Sequence, residues 1–424
     1  MPWSARNEEA PTKKGANIMQ QVKHLAMVSL DAVDNEDVAF LKTLPHFGAL
    51  ARRATLVEHV APTFITNTYP IHSSIITGVY PHKHGLIENL KTQPGKEHPD
   101  WNTQAKLLRA PTLYQKAAKA GLSVCSILYP VTEGAADITY NIPEIPGHMP
   151  LMQRAGRMLS GNAGYLLGCI LRNLKYKKRD GIAGLDDLTT ACAIDTLRRK
   201  RPNLLLLHLL DVDGTKHAFG PKSTEATEAL KRTDERLGNL MAAIELTFQP
   251  EEYAVIVFSD HGCLPVHTTI DPNDVLKQYG LIREPAGTPG DFDAFFHNAG
   301  GSAFVQLYRP EKRQTLEAAI AALLKEPYTA RLLTEEEMNF GGFSGSFFCG
   351  IEAADGYCFG KIHKGQHGYA LKKEGYRPFY LAAGPGIRKG RALSGGCVVD
   401  ICPLAAELLG LPLWEMDGKN RINE

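Results

Sequence analysis

Residues 64–85 read Phe64-Ile-Thr-Asn-Thr-Tyr-Pro-Ile-His-Ser-Ser-Ile-Ile-Thr-Gly-Val-Tyr-Pro-His-Lys-His-Gly85, and this stretch is the most informative in the chain. It places the Thr68 hydroxyl two residues before Pro70, at the start of a helical pattern. Proline is tolerated in a first helical turn because its missing N–H would be unpaired there. The positive end of a helix dipole stabilises an alkoxide or a phosphoryl group. Helix capping by Thr66 or Thr68 explains the same pattern. The interpretation of Thr68 as a reactive hydroxyl therefore depends on other residues of the chain.

Three apolar runs in other parts of the chain end at aspartate and histidine residues. Continuous apolar runs of this length predict strands of a parallel sheet that is covered on both faces. Ligands bind beyond the carboxyl ends of such strands, which is where these side chains would lie. The runs are His24–Leu30 before Asp31, Leu204–Leu210 before Asp211, Asp213 and His217, and Tyr253–Ser259 before Asp260 and His261. A fourth run, Pro378–Gly384, follows His367.

Aspartate and histidine together form the mixed oxygen and nitrogen ligand set that zinc accepts. Two divalent ions a few ångströms apart can activate a nucleophile and stabilise a leaving oxygen. Each residue also has an ordinary structural explanation, since Asp after a strand often caps a helix and His217 could be a solvated surface residue. Three strand ends with ligand-type residues, beside a candidate hydroxyl, favour a metal site.

The motifs in which these residues lie resemble the nucleotide pyrophosphatase/phosphodiesterase branch of the alkaline phosphatase superfamily. The resemblance extends from about Leu25 to Leu411. The matching segments are Ile65-Thr-Asn-Thr-Tyr-Pro70, Thr77-Gly-Val-Tyr-Pro-His-Lys-His-Gly85 with Asn89, Asp213-Gly-Thr-Lys-His-Ala-Phe-Gly-Pro221, Ser259-Asp-His-Gly262 and His367-Gly-Tyr369. The resemblance implies an α/β fold, namely a three-layer α/β/α alkaline-phosphatase-like core with a mostly parallel central sheet and an inserted cap.

The resemblance also implies two divalent metal ions, with zinc favoured. One ion would be held by Asp213, His217 and His367, and the other by Asp31, Asp260 and His261, with the Thr68 oxygen as an additional ligand. Asp211 competes with Asp213, and His363 competes with His367; the family spacing favours Asp213 and His367. His208 is expected to be a core residue of its strand, and His72 has no ligand role in the family pattern.

The implied reaction is metal-dependent hydrolysis of a phosphodiester or phosphoanhydride bond in a small-molecule phosphate ester such as a nucleotide. Thr68 would be the nucleophile and would form a phosphothreonine intermediate. Asn89 would donate its amide N–H to a phosphoryl oxygen where charge accumulates. The segment Ile65-Thr-Asn67 replaces the family's Pro-Thr-Lys, a change that could alter substrate preference.

Other members of the superfamily fit less well. Sulfatases use Cys or Ser followed by x-Pro-x-Arg, whereas Thr68 is followed by Tyr69, Pro70 and His72 without the arginine. Metal-dependent phosphoglycerate mutases use serine as the nucleophile. A phosphonoacetate hydrolase or a phosphomonoesterase with the same site is the main alternative enzyme. A metal-binding protein of this fold without turnover is the alternative from another class.

Length and composition are compatible with an enzyme of small substrates. The 424 residues carry 47 basic and 46 acidic side chains, so a net charge of +1 gives no general attraction to nucleic acid or to an anionic membrane. We predict a disordered extension over 1–18, a core over 19–262 and 363–424 with a helical excursion near 130–186, and a cap inserted over 263–362. Composition gives no prediction of the oligomeric state.

The location is predicted to be cytoplasmic, because no secretory signal is visible near Met1 or Met19. The apolar stretch Ala163–Leu171 is too short to span a bilayer, so no membrane span is expected. The eight cysteines show no close zinc-type pairing and are expected to be free thiols.

Overall fold

The structure is a computed structural model that describes residues 20–422, with the exception of 97, 147–150, 159–160, 284–290, 361–362, 372 and 374–375. The predicted extension at 1–18 lies outside the described residues. In the described part of the chain, no helix is long and apolar enough to cross a membrane. All eight cysteines are free thiols, as expected from the sequence.

The strands, in chain order, are β1 (His24–Leu30), β2 (Thr55–Glu58), β3 (Val124–Ile127), β4 (Tyr140–Ile142), β5 (Leu204–Leu209), β6 (Tyr253–Phe258), β7 (Leu264–Ile270), β8 (Ala294–Asn298), β9 (Ser302–Leu307), β10 (Thr329–Leu332), β11 (Cys349–Ala353), β12 (Gly356–Phe359), β13 (Gly365–Gln366), β14 (Tyr380–Ala383) and β15 (Arg391–Ser394).

The α-helices are α1 (Asn35–Leu41), α2 (Pro45–Arg52), α3 (Thr68–Thr77), α4 (Pro81–His84), α5 (Leu113–Lys119), α6 (Leu151–Met158), α7 (Ala163–Asn173), α8 (Gly181–Lys200), α9 (Asp211–Phe219), α10 (Thr224–Thr247), α11 (Asn273–Gln278), α12 (Arg313–Leu323), α13 (Glu335–Phe340) and α14 (Ile401–Leu408). Short 3-10 turns lie at Ala105–Leu107, Leu174–Tyr176, Pro310–Lys312 and Val398–Asp400.

The central sheet has eight strands in the order β15-β2-β14-β6-β1-β5-β3-β4. Only β14 runs antiparallel to its neighbours β2 and β6. The three apolar runs of the sequence form the adjacent parallel strands β6, β1 and β5, in which Leu25 pairs with both Leu204 and Ala254. The strands therefore end together, and Asp31, Asp211 and Asp260 follow at one edge of the sheet.

Helices cover both faces of this sheet. Ala26 and Val28 of β1 face a core that contains Phe47 of α2 and side chains of α1, α8 and α10. Leu25 and Met27 face the opposite core, formed with α3, α5 and α14. The alternation along β1 explains why the run is apolar throughout, since both of its faces are buried. The architecture is the three-layer α/β/α fold, with a mostly parallel sheet, that the sequence predicts.

A second sheet lies within the segment predicted to be a cap. It is antiparallel, with the order β10-β11-β9-β8. The strand pattern predicted at 302–308 corresponds to β9, and the helix predicted at 310–325 corresponds to a 3-10 turn followed by α12. A third sheet, β12-β7-β13, includes the residues that lead back towards His367. The domain boundaries themselves stay predictions.

A buried ion pair joins the loop after β1 to helix α9. The Lys216 side chain is fully buried, and its Nζ donates to the carbonyl oxygen of Ala32 at 2.8 Å. The same ammonium group lies 3.5 Å from the Asp34 carboxylate and contacts the Asp37 carboxylate. These contacts fix α9 against the chain segment that follows Asp31.

We expect Lys216→Met to lower the free energy of unfolding by roughly 3–5 kcal/mol, because it leaves two buried carboxylates without their cation. Urea denaturation in chelator-treated buffer measures this loss. Lys231→Met is the matched control, since Lys231 pairs with Glu228 at an exposed site and its loss should cost less than about 1 kcal/mol. An equally small loss in both variants would contradict the structural role of Lys216.

Candidate active site

Thr68 is the first residue of α3, and Asn67 is its N-cap in an extended conformation without a side-chain capping bond. Neither Thr66 nor Thr68 caps the helix, so the Thr68 hydroxyl is not used for capping. Its Oγ1 lies 3.3 Å from Nε2 of His261. The structure thus places the predicted nucleophile at a helix N-terminus and against a predicted metal ligand.

Asp31, Asp260 and His261 form the first group of potential metal ligands. All three are buried, and they come from the loops after the neighbouring strands β1 and β6. The His261 Nε2 atom lies 3.6 Å from Oδ1 of Asp31 and 3.2 Å from Oδ2 of Asp260. Thr68 is adjacent to this group through its contact with His261.

Asp213, His217 and His367 form the second group. Asp213 and His217 are four residues apart on α9, so both side chains lie on one face of that helix. Nε2 of His217 lies 3.3 Å from Oδ1 of Asp213, and Nε2 of His367 lies 3.9 Å from the same oxygen. The rings of His261 and His367 stack with centroids 4.1 Å apart, which makes the two groups neighbours.

The three histidines share one orientation. In each of them Nδ1 faces a backbone carbonyl oxygen, which selects the tautomer that carries its proton on Nδ1 and leaves the Nε2 lone pair free for a metal. The carbonyl partners are those of Gly365 for His217, Gly262 for His261 and Thr66 for His367, at 2.8, 3.1 and 3.1 Å. Burial, followed by the charges of His261 and His217, lowers the pKa of His367 well below its usual value. His367 is therefore neutral at neutral pH, as a metal ligand must be.

The carboxylates of the two groups are under-satisfied. Among the described residues, Oδ1 of Asp31, Oδ1 of Asp213 and Oδ2 of Asp260 are buried atoms without a hydrogen-bond partner. These are the oxygens that face the histidine Nε2 atoms. Burial, together with the negative charges of Asp260 and Asp213, raises the pKa of Asp31 well above its ordinary value. Both groups therefore fit divalent cations, which would satisfy the free oxygens and offset the clustered negative charge.

Asn67 and Glu88 connect the nucleophile segment to His367. Nδ1 of His367 lies 2.7 Å from Oδ1 of Asn67, and Nδ2 of Asn67 donates to Oε1 of Glu88 at 2.7 Å. The Asn67 amide is therefore hydrogen-bonded at both ends. Its oxygen accepts a hydrogen bond from Nδ1–H of His367, and its nitrogen donates to Glu88. Burial raises the pKa of Glu88 to about 7. Neither contact was predicted from the sequence. The only hint was that Asn67 stands where the family has lysine.

Asn89 lies beside Thr68 at the start of α3. Its Oδ1 accepts a hydrogen bond from the backbone N–H of Tyr69 at 2.8 Å, which directs its Nδ2 group away from that backbone. The backbone N–H of Asn89 donates to Glu88 at 2.6 Å. These bonds orient the Asn89 amide as a donor, and Asn89 and Thr68 line the same cavity.

Two competing candidates differ in position from the ligand groups. Asp211 is held by Arg232 and Arg236, each at 2.7 Å, and lies outside both groups. The His363 ring lies 4.6 Å from the His217 ring and lines the cavity, but His363 belongs to neither group. The structure therefore brings together the ligand set that the family spacing favours.

His208 and His72 have contacts that the sequence did not predict. His208 is buried in β5 as expected, but its Nε2 lies 3.1 Å from Oδ2 of Asp31. Nδ1 of His72 lies 3.5 Å from Oδ2 of Asp260, and its Nε2 is 2.8 Å from the Ser29 hydroxyl. One feature of the sequence could have indicated a role for His208 at the site: it is the one polar side chain inside an apolar run.

A cavity of about 790 Å³ opens onto Thr68 and the second ligand group. One side of its wall is aromatic and comes from the second sheet and from the loop before β11, with Phe295, Phe304 and Phe347. Another part is polar and cationic, with Lys91 and Lys96. The volume lies in the range of pockets that bind small molecules.

Comparison with known proteins places the chain in a family. The family model for type I phosphodiesterase / nucleotide pyrophosphatase matches residues 25–337. A human relative, bis(5'-adenosyl)-triphosphatase ENPP4, is 23% identical over 403 residues, which cover 91% of this chain and 78% of that protein. The uncharacterized pyrophosphatase/phosphodiesterase C725.05c of Schizosaccharomyces pombe is 26% identical over 251 residues. That match covers 59% of this chain, and the chain spans about half, 46%, of that relative's length.

Solved structures show the same fold. Murine ectonucleotide pyrophosphatase / phosphodiesterase 5, in an inactive form in complex with AMP, superposes with a TM-score of 0.70 at 20% sequence identity. The superposition covers 94% of this chain and 97% of that chain. The chain therefore belongs to the type I phosphodiesterase / nucleotide pyrophosphatase family of the alkaline phosphatase superfamily.

Proposed function

We propose that the protein hydrolyses phosphodiester or phosphoanhydride bonds through a phosphothreonine intermediate at a site with two divalent metal ions. The observation that carries this proposal is the Thr68 hydroxyl, 3.3 Å from His261, beside two groups of Asp and His whose carboxylate oxygens lack partners. Asp31, Asp260, His261 and the Thr68 oxygen would hold one ion. Asp213, His217 and His367 would hold the other. Zinc suits this mixture of oxygen and nitrogen ligands.

In the proposed reaction, the Thr68 oxygen attacks phosphorus in line with the leaving oxygen. The bond between Oγ1 and phosphorus forms as the bond to the leaving oxygen breaks, and the Thr68 hydroxyl proton passes to solvent. Nδ2 of Asn89 donates a hydrogen bond to a non-bridging phosphoryl oxygen. Water then hydrolyses the phosphothreonine. When bound, the two ions supply positive charge for the Thr68 alkoxide and for the departing oxygen.

The substrate is proposed to be a small nucleotide or another phosphodiester. Support comes from relatives named as bis(5'-adenosyl)-triphosphatase and from the AMP complex of the murine structure. The second sheet would act as the cap that selects the substrate, since Phe295 and Phe304 of β8 and β9 line the cavity. Lys91 in the cavity wall would also bind a substrate carboxylate, so a phosphonoacetate hydrolase is the second candidate. The cytoplasmic location stays a prediction.

We expect Thr68→Ala to reduce hydrolysis of bis-p-nitrophenyl phosphate by at least about a thousandfold, because it removes the nucleophile. Thr68→Ser keeps a hydroxyl at the same place and should retain part of the activity. Mass spectrometry of acid-quenched enzyme should find phosphate on the peptide that contains Thr68. Full turnover in Thr68→Ala would exclude the covalent mechanism.

Metal content tests the two ligand groups separately. The wild-type protein should bind two zinc ions per chain, and chelation should abolish hydrolysis. Asp213→Ala and Asp260→Ala should each reduce the zinc content by about one ion, as measured by mass spectrometry of the metal. Asp211→Asn is the matched control and should keep both ions, since Asp211 pairs with two arginines. If Asp211→Asn lost an ion and Asp213→Ala kept both, the assignment of Asp213 as a ligand would be wrong.

Asn67→Leu should weaken zinc binding by roughly 10–100-fold, because His367 loses the acceptor that orients its ring. Competition with a fluorescent zinc chelator measures this affinity. Glu88→Gln is the conservative control, since its side-chain oxygen can still accept from Asn67. Unchanged zinc affinity in Asn67→Leu would show that the contact with the Thr66 carbonyl oxygen is sufficient.

A further inference from the structure

Helix α7 carries apolar side chains on two faces. Leu166 and Cys169 point into the protein and are 3% and 0% exposed. Leu167, Leu171 and Leu174 are 50%, 70% and 51% exposed. The spacing of i, i+4 and i+7 places these three on one face of the helix and the turn that follows it. We call this set the leucine face. A surface helix normally has one apolar stripe, which packs on the core, so a second and exposed apolar stripe marks a potential interaction surface.

Cationic side chains follow the leucine face directly. Lys175, Lys177 and Lys178 are all exposed. The nearby Arg172 and Arg179 form ion pairs with Asp195 and Asp187, at 2.7 and 2.9 Å, whereas no ion pair of the described residues involves the three lysines. Lys175 lies over the ring of Tyr176, which is itself 44% exposed. The segment therefore presents three uncompensated positive charges next to exposed leucines.

We propose that the leucine face and Lys175, Lys177 and Lys178 form a docking surface for an anionic lipid membrane. An amphipathic helix with leucines on one face and lysines beside it lies in the membrane interface and does not span it. Anionic headgroups complement the lysines, and the leucines enter the boundary of the acyl chains. A symmetric contact with a second copy of the chain would place like-charged lysines close together, which disfavours self-association through this face.

Helix α8, which follows the docking surface in the chain, contacts the helix that carries part of the second ligand group. The side chain of Ile182, at the start of α8, packs against Gly214 of α9, and a Cβ atom on Gly214 would lie only 2.4 Å from Cδ1 of Ile182. Gly214 follows Asp213 directly and lies on the helix that carries His217.

Sedimentation of the full chain with vesicles tests the proposal without any activity measurement, so its failure is separable from failure of the proposed function. We expect binding to vesicles of phosphatidylcholine with phosphatidylserine, little binding to phosphatidylcholine alone, and weaker binding as salt increases. Leu167→Ser combined with Leu171→Ser should lower the partition coefficient at least tenfold. The matched control is Leu246→Ser combined with Leu413→Ser, since these leucines are 80% and 53% exposed elsewhere. The control should bind like the wild type.

The lysines are tested by a charge-matched pair of variants. Replacement of Lys175, Lys177 and Lys178 by Gln should lower the partition coefficient for anionic vesicles at least tenfold. Replacement of three other exposed lysines by Gln should have little effect, although it changes the net charge equally; these are Lys222, Lys325 and Lys389. Absence of binding to anionic vesicles, or equal loss in both triple variants, would overturn the proposal. A dimer in light scattering that Leu171→Ser converts to a monomer would assign the face to a second copy instead.

Discussion

The clustering of buried negative charge at the carboxyl edge of the central sheet is the constraint on which the site depends. Three parallel strands end side by side, and Asp31, Asp213 and Asp260 lie in the loops and in helix α9 that follow them. One oxygen of each carboxylate is buried without a hydrogen-bond partner among the described residues. Such an arrangement is costly unless cations compensate it. The histidine Nε2 atoms that face these oxygens are positioned to share the same cations.

Hydrogen bonds and a buried ion pair position the residues around this charge. Each candidate histidine is oriented through Nδ1 by a backbone carbonyl oxygen, and His367 is also held by Asn67 and Glu88. The buried Lys216 pairs with carboxylates of the loop after β1 and thereby fixes α9, which carries Asp213 and His217. Asp213 and His217 lie on α9, and Asp31, Asp260 and His261 follow directly after β1 and β6, whereas much of the cavity wall comes from the second sheet and from other loops. Under the proposed function, changes in that wall would alter the substrate without altering the ligand groups.

Continuous apolar runs predicted β1, β5 and β6, because a strand that is buried on both faces leaves a local pattern in the sequence. The division of the ligands into two groups, and the choice of Asp213 over Asp211, came from the resemblance to the family. Contacts between distant segments had no such pattern. His208 was read as a core residue, although it also contacts Asp31, because nothing in an apolar run shows which strand lies beside it. The contacts of Lys216 with the loop after β1, and of Glu88 with Asn67, were not predicted for the same reason. In both cases the partner is distant in the sequence. The sequence also left the apolar stretch of α7 undecided, because such a stretch fits a buried helix face and a lid surface equally well.

Anomalous diffraction at the zinc absorption edge, from crystals grown with zinc, would locate the proposed metal ions. Two peaks are expected, one at about 2.0–2.2 Å from the ligand atoms of Asp31, Asp260 and His261, and one at that distance from those of Asp213, His217 and His367. The first peak should also lie close to the Thr68 hydroxyl. A single peak, or peaks away from these side chains, would rule out the two proposed metal positions.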